Sequence, residues 1–332
     1  MSETAKHLNI HPVWNQKIYV RLGKEIEPFR DYQYFRPLSK AYDGDNTFWS
    51  VPSPEPDLDD TFWEKVASSL NDDNVGEAAC CLAREISRWE PDGKNLVFAA
   101  ILRAGVPIAD WLCRLLPGAE AVAMSLFVGL GIDQMALELL REDYPDRKIV
   151  FVDGWTGRGG VARAIRKLNA GPLAVLNDPW GWADFSGCQE DIFCPTACFT
   201  GAATLGFSRT FFSDAKSLFA AYRFPLRHCR YDLVEKWQSC CPAEISGNYP
   251  ASENKRKDFF MQTDLRLHSN EVCRALINAD PDTICFLNDA ACVKANYPLL
   301  LGLAERRKVK VAYEISELEN YKTRVACSFR KS

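Results

Sequence analysis

The sequence predicts an α/β protein built on a largely parallel sheet. Apolar runs typical of buried strands alternate with segments of helical periodicity between residues 74 and 176. Parallel strands joined by helical connections need helices on both faces of the sheet. Two of the strand-to-helix connections are rich in Gly and small residues, as is common where α/β sheets bind ligands. We therefore predict a doubly wound parallel sheet with a ligand site at its carboxyl edge.

The predicted elements follow one another in the order that this fold requires. Val75, Ala78, Leu82 and Ile86 recur at helical spacing, so a helix is predicted over 74–90. Residues 213–245 are also expected to be helical. The remaining elements are strands at 95–102, 121–127, 149–152 and 173–176, and helices through 111–115, 133–142 and 161–168.

Composition divides the chain into four parts. Residues 1–70 are rich in aromatic residues and are expected to pack on the main domain, which spans 71–245. Residues 246–257 have the composition of a linker. The pattern restarts in 258–332, a small α/β/α unit. This unit has predicted helices at 269–279 and 290–306 and strands at 283–287, 309–315 and 324–329.

The charge and the cysteine content of the chain limit the partners, metals and cellular location that we expect. The 332-residue chain has a net charge of −4, but residues 255–332 hold 14 Lys and Arg against 10 Asp and Glu. This basic segment suggests a polyanionic partner. The 13 cysteines are scattered through apolar segments, so we expect reduced thiols and no metal held by the protein. No apolar run reaches the length of a membrane span, and no apolar signal core begins the chain, so a cytoplasmic location without a membrane partner is expected.

A turn rich in Thr and Gly follows the strand at 149–152. The strand ends in Asp153, where open α/β sheets place ligand groups, and a helical pattern resumes at Val161. Glycines let backbone N–H groups approach an anion, and the following helix adds free N–H groups and a partial positive charge. The alternative is a glycine-rich turn without a ligand. The phosphate-binding candidates are Thr156, Gly157, Arg158, Gly159 and Gly160.

A second small-residue turn, Arg103-Ala104-Gly105, lies 50 residues before Asp153. This spacing leaves room for two strand–helix units, so both turns can lie at the carboxyl edge of one sheet. Either turn alone is a weak signal, but the ordered pair is more specific. The alternative is two unrelated tight turns.

The pair of turns resembles the type I phosphoribosyltransferases. The wider pattern of 151–159, 176–179, 195–198 and 208–210 resembles a phosphoribosyltransferase family encoded beside tellurite-resistance genes, which is also called cysteine protease StiP and ends in a Pelota-like RNA-binding domain. The resemblance implies that the turn at 156–160 holds the 5-phosphate of phosphoribosyl pyrophosphate. It also implies that Asp153 binds the ribose hydroxyls. Arg103, Ala104 and Gly105 would bind pyrophosphate together with Mg²⁺, in a backbone that is often a non-proline cis peptide.

The implied enzyme is a pentosyltransferase that transfers or releases a phosphoribosyl group in stress-resistance-linked nucleoside metabolism, with Asp153 and Arg103 as its catalytic residues. The acceptor would contact Asp178, Trp182 and Cys198. The expected partners are phosphoribosyl pyrophosphate or a nucleotide and structured RNA, with a homodimer as a further expectation. RNA would bind the Pelota-like unit at Arg306, Arg307 and Lys308.

Two departures from the family pattern keep other functions open. Most type I enzymes have two adjacent acids before the Thr-Gly turn, whereas here the second is Gly154. They also carry a cation on a flexible loop, yet residues 115–140 contain no Lys or Arg. A non-catalytic, nucleotide-sensing RNA-binding protein is therefore one alternative. A cysteine peptidase that uses Cys198 and His228 is another.

Overall fold

The computed structural model describes residues 9–10, 13–14, 16–38, 49–214, 216–245 and 264–329. The predicted linker at 246–257 lies outside these residues. The division of the chain into four parts stays a prediction.

Short strands form four sheets in the described part of the chain. The main sheet contains seven strands in the order β1-β2-β5-β4-β8-β9-β10, and all its neighbouring pairs are parallel except β1 with β2. The predicted parallel sheet is thus present, with six parallel strands. The strands are β1 (Asn9–Ile10), β2 (Lys17–Ile18), β3 (Arg21–Glu25), β4 (Leu96–Ile101), β5 (Glu120–Met124), β6 (Leu126–Phe127), β7 (Gly131–Ile132), β8 (Lys148–Trp155), β9 (Leu173–Asn177), β10 (Phe185–Cys188), β11 (Ala220–Arg223), β12 (Arg266–Leu267), β13 (Thr283–Phe286), β14 (Lys310–Ala312) and β15 (Val325–Ser328).

Helices cover both faces of the main sheet. Along β4, Phe98 and Ala100 belong to one buried cluster and Val97, Ala99 and Ile101 belong to another, because successive side chains of a strand point to opposite faces. The first cluster is shared with α2, α3 and α7, and the second with α4 and α5. The helices are α1 (Asp60–Ser69), α2 (Asp73–Trp89), α3 (Gly105–Leu115), α4 (Gln134–Asp143), α5 (Gly160–Leu168), α6 (Gly201–Thr204), α7 (Tyr231–Ser239), α8 (Ser269–Asn278), α9 (Ala290–Asn296) and α10 (Pro298–Arg306).

Residues near the N-terminus extend the main sheet. Strand β2 pairs in parallel with β5, and Trp14 and Ile18 are buried in the first cluster. Strand β3 pairs in parallel with β11 in a separate two-stranded sheet.

The C-terminal residues form a four-stranded sheet in the order β12-β15-β13-β14. It docks on the main sheet through the buried carboxylate of Asp191. One carboxylate oxygen accepts from the backbone N–H and hydroxyl of Ser269, at 2.9 and 2.6 Å. The other accepts from the Thr323 hydroxyl and the Arg324 N–H, at 2.7 and 2.8 Å. These bonds fix the position at which helix α8 begins.

Two predicted helices differ from the structure. The helical prediction for 213–245 is wrong at 220–223, which form β11, because pairing with the distant β3 overrides local preference. The predicted helix at 290–306 is two helices that meet at Pro298, whose ring cannot continue an α-helix from the preceding turn.

None of the helices in the described ranges is long and apolar enough to cross a membrane.

Two stacked indoles hold helix α7 against α3. The rings of Trp111 and Trp237 lie 3.8 Å apart and nearly parallel, and both side chains are buried. Each indole N–H donates to a backbone carbonyl, Trp111 to Trp237 and Trp237 to Pro107. Burial and hydrogen bonding together make this pair a major packing contact.

We expect Trp237→Ala to lower the free energy of unfolding by about 3–5 kcal/mol, because it leaves a large cavity and removes the stacked partner. Urea unfolding measures this change. The control is Trp89→Ala, since Trp89 is 41% exposed and its loss should cost about 1 kcal/mol or less. Equal losses in the two variants would contradict the stacking argument.

Candidate functional site

At the carboxyl edge of the main sheet, the turn at 103–105 touches the end of β8, the strand that leads into the turn at 156–160. Strands β4 and β8 are neighbours, with Ala100 opposite Val152. A Cβ at Gly105 would lie 2.1 Å from the Val152 carbonyl oxygen, so only glycine fits there. A Cβ at Gly154 would lie 3.2 Å from the Ala104 Cβ. A second acid at position 154 would therefore crowd Ala104 of the neighbouring turn.

The turn at 156–160 has the features of an anion cradle. Gly159 has a φ of +75° and caps the N-terminus of α5. Among the described residues, no protein acceptor receives the backbone N–H groups of 157–160. Free N–H groups at a helix N-terminus attract anions. The Thr156 hydroxyl donates to the Asp178 carboxylate at 2.5 Å, and this hydrogen bond stabilises the conformation of the turn.

Asp153 lies at the end of β8 between the two turns. Its side chain is partly buried, and one oxygen accepts from the Gly154 N–H at 2.8 Å. Burial raises the pKa of Asp153 to about 7, and the negative charge of Glu271 adds to this effect. The Gly154 N–H and the positive charge of Arg274 act in the opposite direction. Asp153 is therefore about half ionised at neutral pH.

Arg103 begins the second turn, and its peptide bond with Leu102 is cis. Its guanidinium forms an ion pair with the buried Glu55, with Nη1 2.8 Å from Oε1. Its Nη2 donates to the Asn278 amide oxygen at 2.9 Å. Glu55 also accepts from the Gly201 N–H, so it links the arginine to the start of α6.

Helix α8 of the C-terminal unit covers this edge of the sheet. The Glu271 carboxylate accepts from the Trp155 indole N–H at 2.7 Å, and a Cβ at Gly157 would lie 3.2 Å from the Glu271 Cγ. Arg274 donates to the carbonyls of Ala197 and Phe199. The site is thus bounded by the two turns on one side and by α8 on the other.

The predicted acceptor residues lie in three different environments. Asp178 is fully buried and accepts from the N–H groups of Trp180 and Ala183 as well as from the Thr156 hydroxyl. The Trp182 ring lies against Gly159, where a Cβ would be 2.5 Å from it. The Cys198 thiol is buried 3.6 Å from the Cys273 sulfur. Asp178 and Trp182 thus both contact the turn at 156–160, and the acceptor role of all three residues stays a prediction.

Cys198 and His228 each have other partners. Burial, reinforced by the neighbouring Cys273, raises the pKa of the Cys198 thiol well above its ordinary value. The His228 Nε2 lies 3.0 Å from a Glu27 carboxylate oxygen, and its ring packs edge-on against Phe29. In the described part of the chain, no hydrogen bond joins the thiol to this imidazole.

The candidate RNA-binding cations lie at the end of α10. Arg306 pairs with Asp59 near the N-terminus of α1. Arg307 donates to the Ala279 carbonyl, and Lys308 adopts a positive φ of 54° just beyond the helix. Two of the three cations therefore contact protein groups, and RNA binding stays a prediction.

Sequence analysis missed four side chains at this site: Glu55, Glu271, Arg274 and Asn278. The last three lie on one face of α8 because they are spaced at i, i+3 and i+7. A polar face on the otherwise apolar helix predicted at 269–279 is the signal that was available. Nothing in the local sequence marks Glu55.

We expect Asp153→Asn to change how stability depends on pH. The folded protein holds a proton on Asp153 up to pH of about 7, whereas the unfolded chain releases it near pH 4. Ionisation therefore costs stability as the pH rises between these values. The variant should lack this loss, which amounts to at most about 4 kcal/mol for a shift of roughly three units.

Urea unfolding of both proteins between pH 4 and pH 8 measures this difference. The variant should gain stability relative to the wild type up to about pH 7 and then stay level. Parallel profiles would mean that Asp153 titrates normally in the folded protein.

Three curated proteins share part of this chain. A protein named cysteine protease StiP from Acinetobacter baylyi is 31% identical over 114 residues, which are 30% of this chain and 30% of that protein. Two proteins named uracil phosphoribosyltransferase match similarly. The one from Rhodococcus jostii is 32% identical over 116 residues, and the one from Rhodococcus opacus is 33% identical over 119 residues. Each of these two matches covers 32% of this chain and 55% of the relative.

The chain therefore spans less than a third of the first relative and about half of the other two. No solved structure matches significantly. A family model described as tellurite-like stress resistance cysteine protease StiP matches residues 50–224, which contain both glycine-rich turns. Because this match covers more than half of the 332 residues, the chain belongs to the StiP family.

Proposed function

We propose that this protein binds phosphoribosyl pyrophosphate or a nucleoside 5′-monophosphate and transfers or releases the phosphoribosyl group. The observation that carries the proposal is that two anion-suited turns follow the neighbouring strands β4 and β8, with the 103–105 turn against the end of β8 and Asp153 at that strand end. Similarity to the two Rhodococcus uracil phosphoribosyltransferases supports the choice of ligand. The family description suggests that the reaction serves stress resistance.

Each part of the ligand has a matching group in this proposal. The free N–H groups of 157–160 hold the 5-phosphate at the N-terminus of α5. The ionised Asp153 accepts hydrogen bonds from the ribose hydroxyls and stabilises positive charge at the anomeric carbon. Arg103 binds the pyrophosphate as a cation with a planar fork of donors.

In this proposal, Mg²⁺ binds together with the substrate. Within the described ranges, no group of three or more His, Cys, Asp or Glu side chains forms a metal site. Mg²⁺ prefers phosphate oxygens and water together with one or two carboxylates, so the partly buried Asp153 fits a supporting role. The ion supplies charge neutralisation of the pyrophosphate leaving group.

Calorimetric titration with phosphoribosyl pyrophosphate and with a nucleoside 5′-monophosphate tests the proposal. We expect the wild type to bind, and we expect Asp153→Ala and Gly157→Val to bind at least about tenfold more weakly, a loss of about 1.4 kcal/mol. The first change removes the ribose acceptor. The second places two methyl groups where a Cβ already approaches Glu271 at 3.2 Å.

The matched control is Gly302→Val. A Cβ at Gly302 meets nothing within 4 Å, and this glycine lies in α10, outside the candidate site. Its affinity should equal that of the wild type. Equal affinities in all four proteins would refute the site.

A cysteine peptidase is the second candidate because the family description names that activity. A cysteine nucleophile requires a thiolate, yet burial raises the pKa of the Cys198 thiol well above its ordinary value. His228, the base suggested from the sequence, instead contacts Glu27. The geometry therefore favours the phosphoribosyl proposal.

Cleavage of a fluorescently labelled unfolded protein tests the peptidase directly. We expect no activity that Cys198→Ser removes, because the buried thiol stays protonated at neutral pH. Wild-type cleavage that is lost in both Cys198→Ser and His228→Ala would instead establish the peptidase and require these two residues to meet.

A further inference from the structure

Helix α8 places one polar face on both glycine-rich turns. Glu271 accepts from the Trp155 indole N–H and lies beside Gly157 of the turn at 156–160. Asn278 accepts from Arg103 of the turn at 103–105. Arg274 lies between them along the helix face. All three residues follow position 224, so they are outside the segment that the family model matches.

Among the residues that the structure describes, no carboxylate forms an ion pair with Arg274. Its hydrogen bonds go to the backbone carbonyls of Ala197 and Phe199, at 3.2 and 2.7 Å. Burial lowers the pKa of Arg274, and the nearby Arg103 guanidinium lowers it further. An arginine nevertheless stays charged at neutral pH. Of the two neighbouring guanidiniums, that of Arg103 is therefore paired with a carboxylate, Glu55, whereas that of Arg274 contacts backbone carbonyls.

The two arginines face a common cavity. Arg103, Ala104, Thr196 and Arg274 line a space of about 10 Å³, which is room for a single water molecule. A larger anion has to displace a side chain to enter. The Asn278 amide oxygen is the neutral acceptor that now occupies one donor of Arg103.

We propose that Arg274 joins Arg103 in binding the diphosphate of the ligand, whose oxygens displace the Asn278 amide from Arg103. This inference rests on the proposed phosphoribosyl function. Guanidinium groups bind phosphate oxygens through paired, charge-assisted hydrogen bonds, which are stronger than the neutral amide contact that is replaced. The connection from β5 to α4 offers no competing cation, because residues 115–140 contain no Lys or Arg. The diphosphate site is therefore made jointly by the main sheet and by α8.

Calorimetry on the full chain, with Mg²⁺ present, separates the diphosphate site from the 5-phosphate site. The two probes are inorganic pyrophosphate and a nucleoside 5′-monophosphate. Arg274→Gln should weaken pyrophosphate binding at least tenfold and change monophosphate binding less than threefold. Arg141→Gln, which removes an exposed cation from α4, is the matched control and should change neither affinity.

Two further variants keep the test decisive if Arg274→Gln does not fold. Arg274→Lys keeps the positive charge but loses the planar fork of guanidinium donors. It should therefore bind pyrophosphate more tightly than Arg274→Gln and more weakly than the wild type. Asn278→Ala frees one donor of Arg103, so it should bind pyrophosphate more tightly than the wild type. Wild-type affinity in Arg274→Lys, or weaker binding in Asn278→Ala, would overturn the inference.

The possible failures can be told apart. If the wild type binds the monophosphate but not pyrophosphate, the diphosphate site is wrong and the phosphoribosyl function survives. If Arg274→Gln loses both affinities equally, or neither, Arg274 is a packing residue. If the wild type binds neither probe, the proposed function fails and this inference fails with it.

Discussion

The buried carboxylate of Asp191 fixes how the C-terminal sheet meets the main sheet. Removing a carboxylate from water costs several kcal/mol unless hydrogen bonds replace the lost hydration. Here four donors from Ser269, Thr323 and Arg324 supply that replacement. Burial alone raises the pKa of Asp191, but His268 and these donors outweigh it and hold the pKa below its ordinary value. The carboxylate thus stays charged, and its geometric demands determine where α8 begins and which residues α8 presents to the strand ends.

Local patterns were sufficient to predict the central strands of the main sheet but not the short strands that pair with distant parts of the chain. Strand β4 is six consecutive buried residues, and such a run followed by a glycine turn predicts a central parallel strand. Strands β2 and β11 were missed because each is short and depends on a distant partner, β5 and β3 respectively. Pairing of this kind is decided by tertiary packing, which no local window of sequence contains. Pro298, by contrast, was a visible break that the apolar periodicity around it obscured.

The same distinction applies to the candidate site. The turns at 103–105 and 156–160 were found from the sequence because glycine is typical where a Cβ would not fit, beside the Val152 carbonyl for Gly105 and beside the Trp182 ring for Gly159. Glu55 and Asn278 were not found, since they meet Arg103 across 48 and 175 residues of chain. The close approach of Gly154 to Ala104 was equally hidden, because Ala104 lies on the connection that follows a different strand. Sequence thus predicts the groups that strand ends carry, whereas the groups that cover them emerge only from the fold.

The long separation between Asp191 and its donors has a consequence for synthesis of the protein. Arg324 follows Asp191 by 133 residues. At roughly 5–20 residues per second, a ribosome reaches Arg324 about 7–27 seconds after Asp191. During that interval the growing chain has a carboxylate destined for burial without the groups that will satisfy it. The main sheet therefore has to leave this position hydrated until Ser269, Thr323 and Arg324 have been synthesised, and a chain truncated before residue 269 lacks the helix that covers these strand ends.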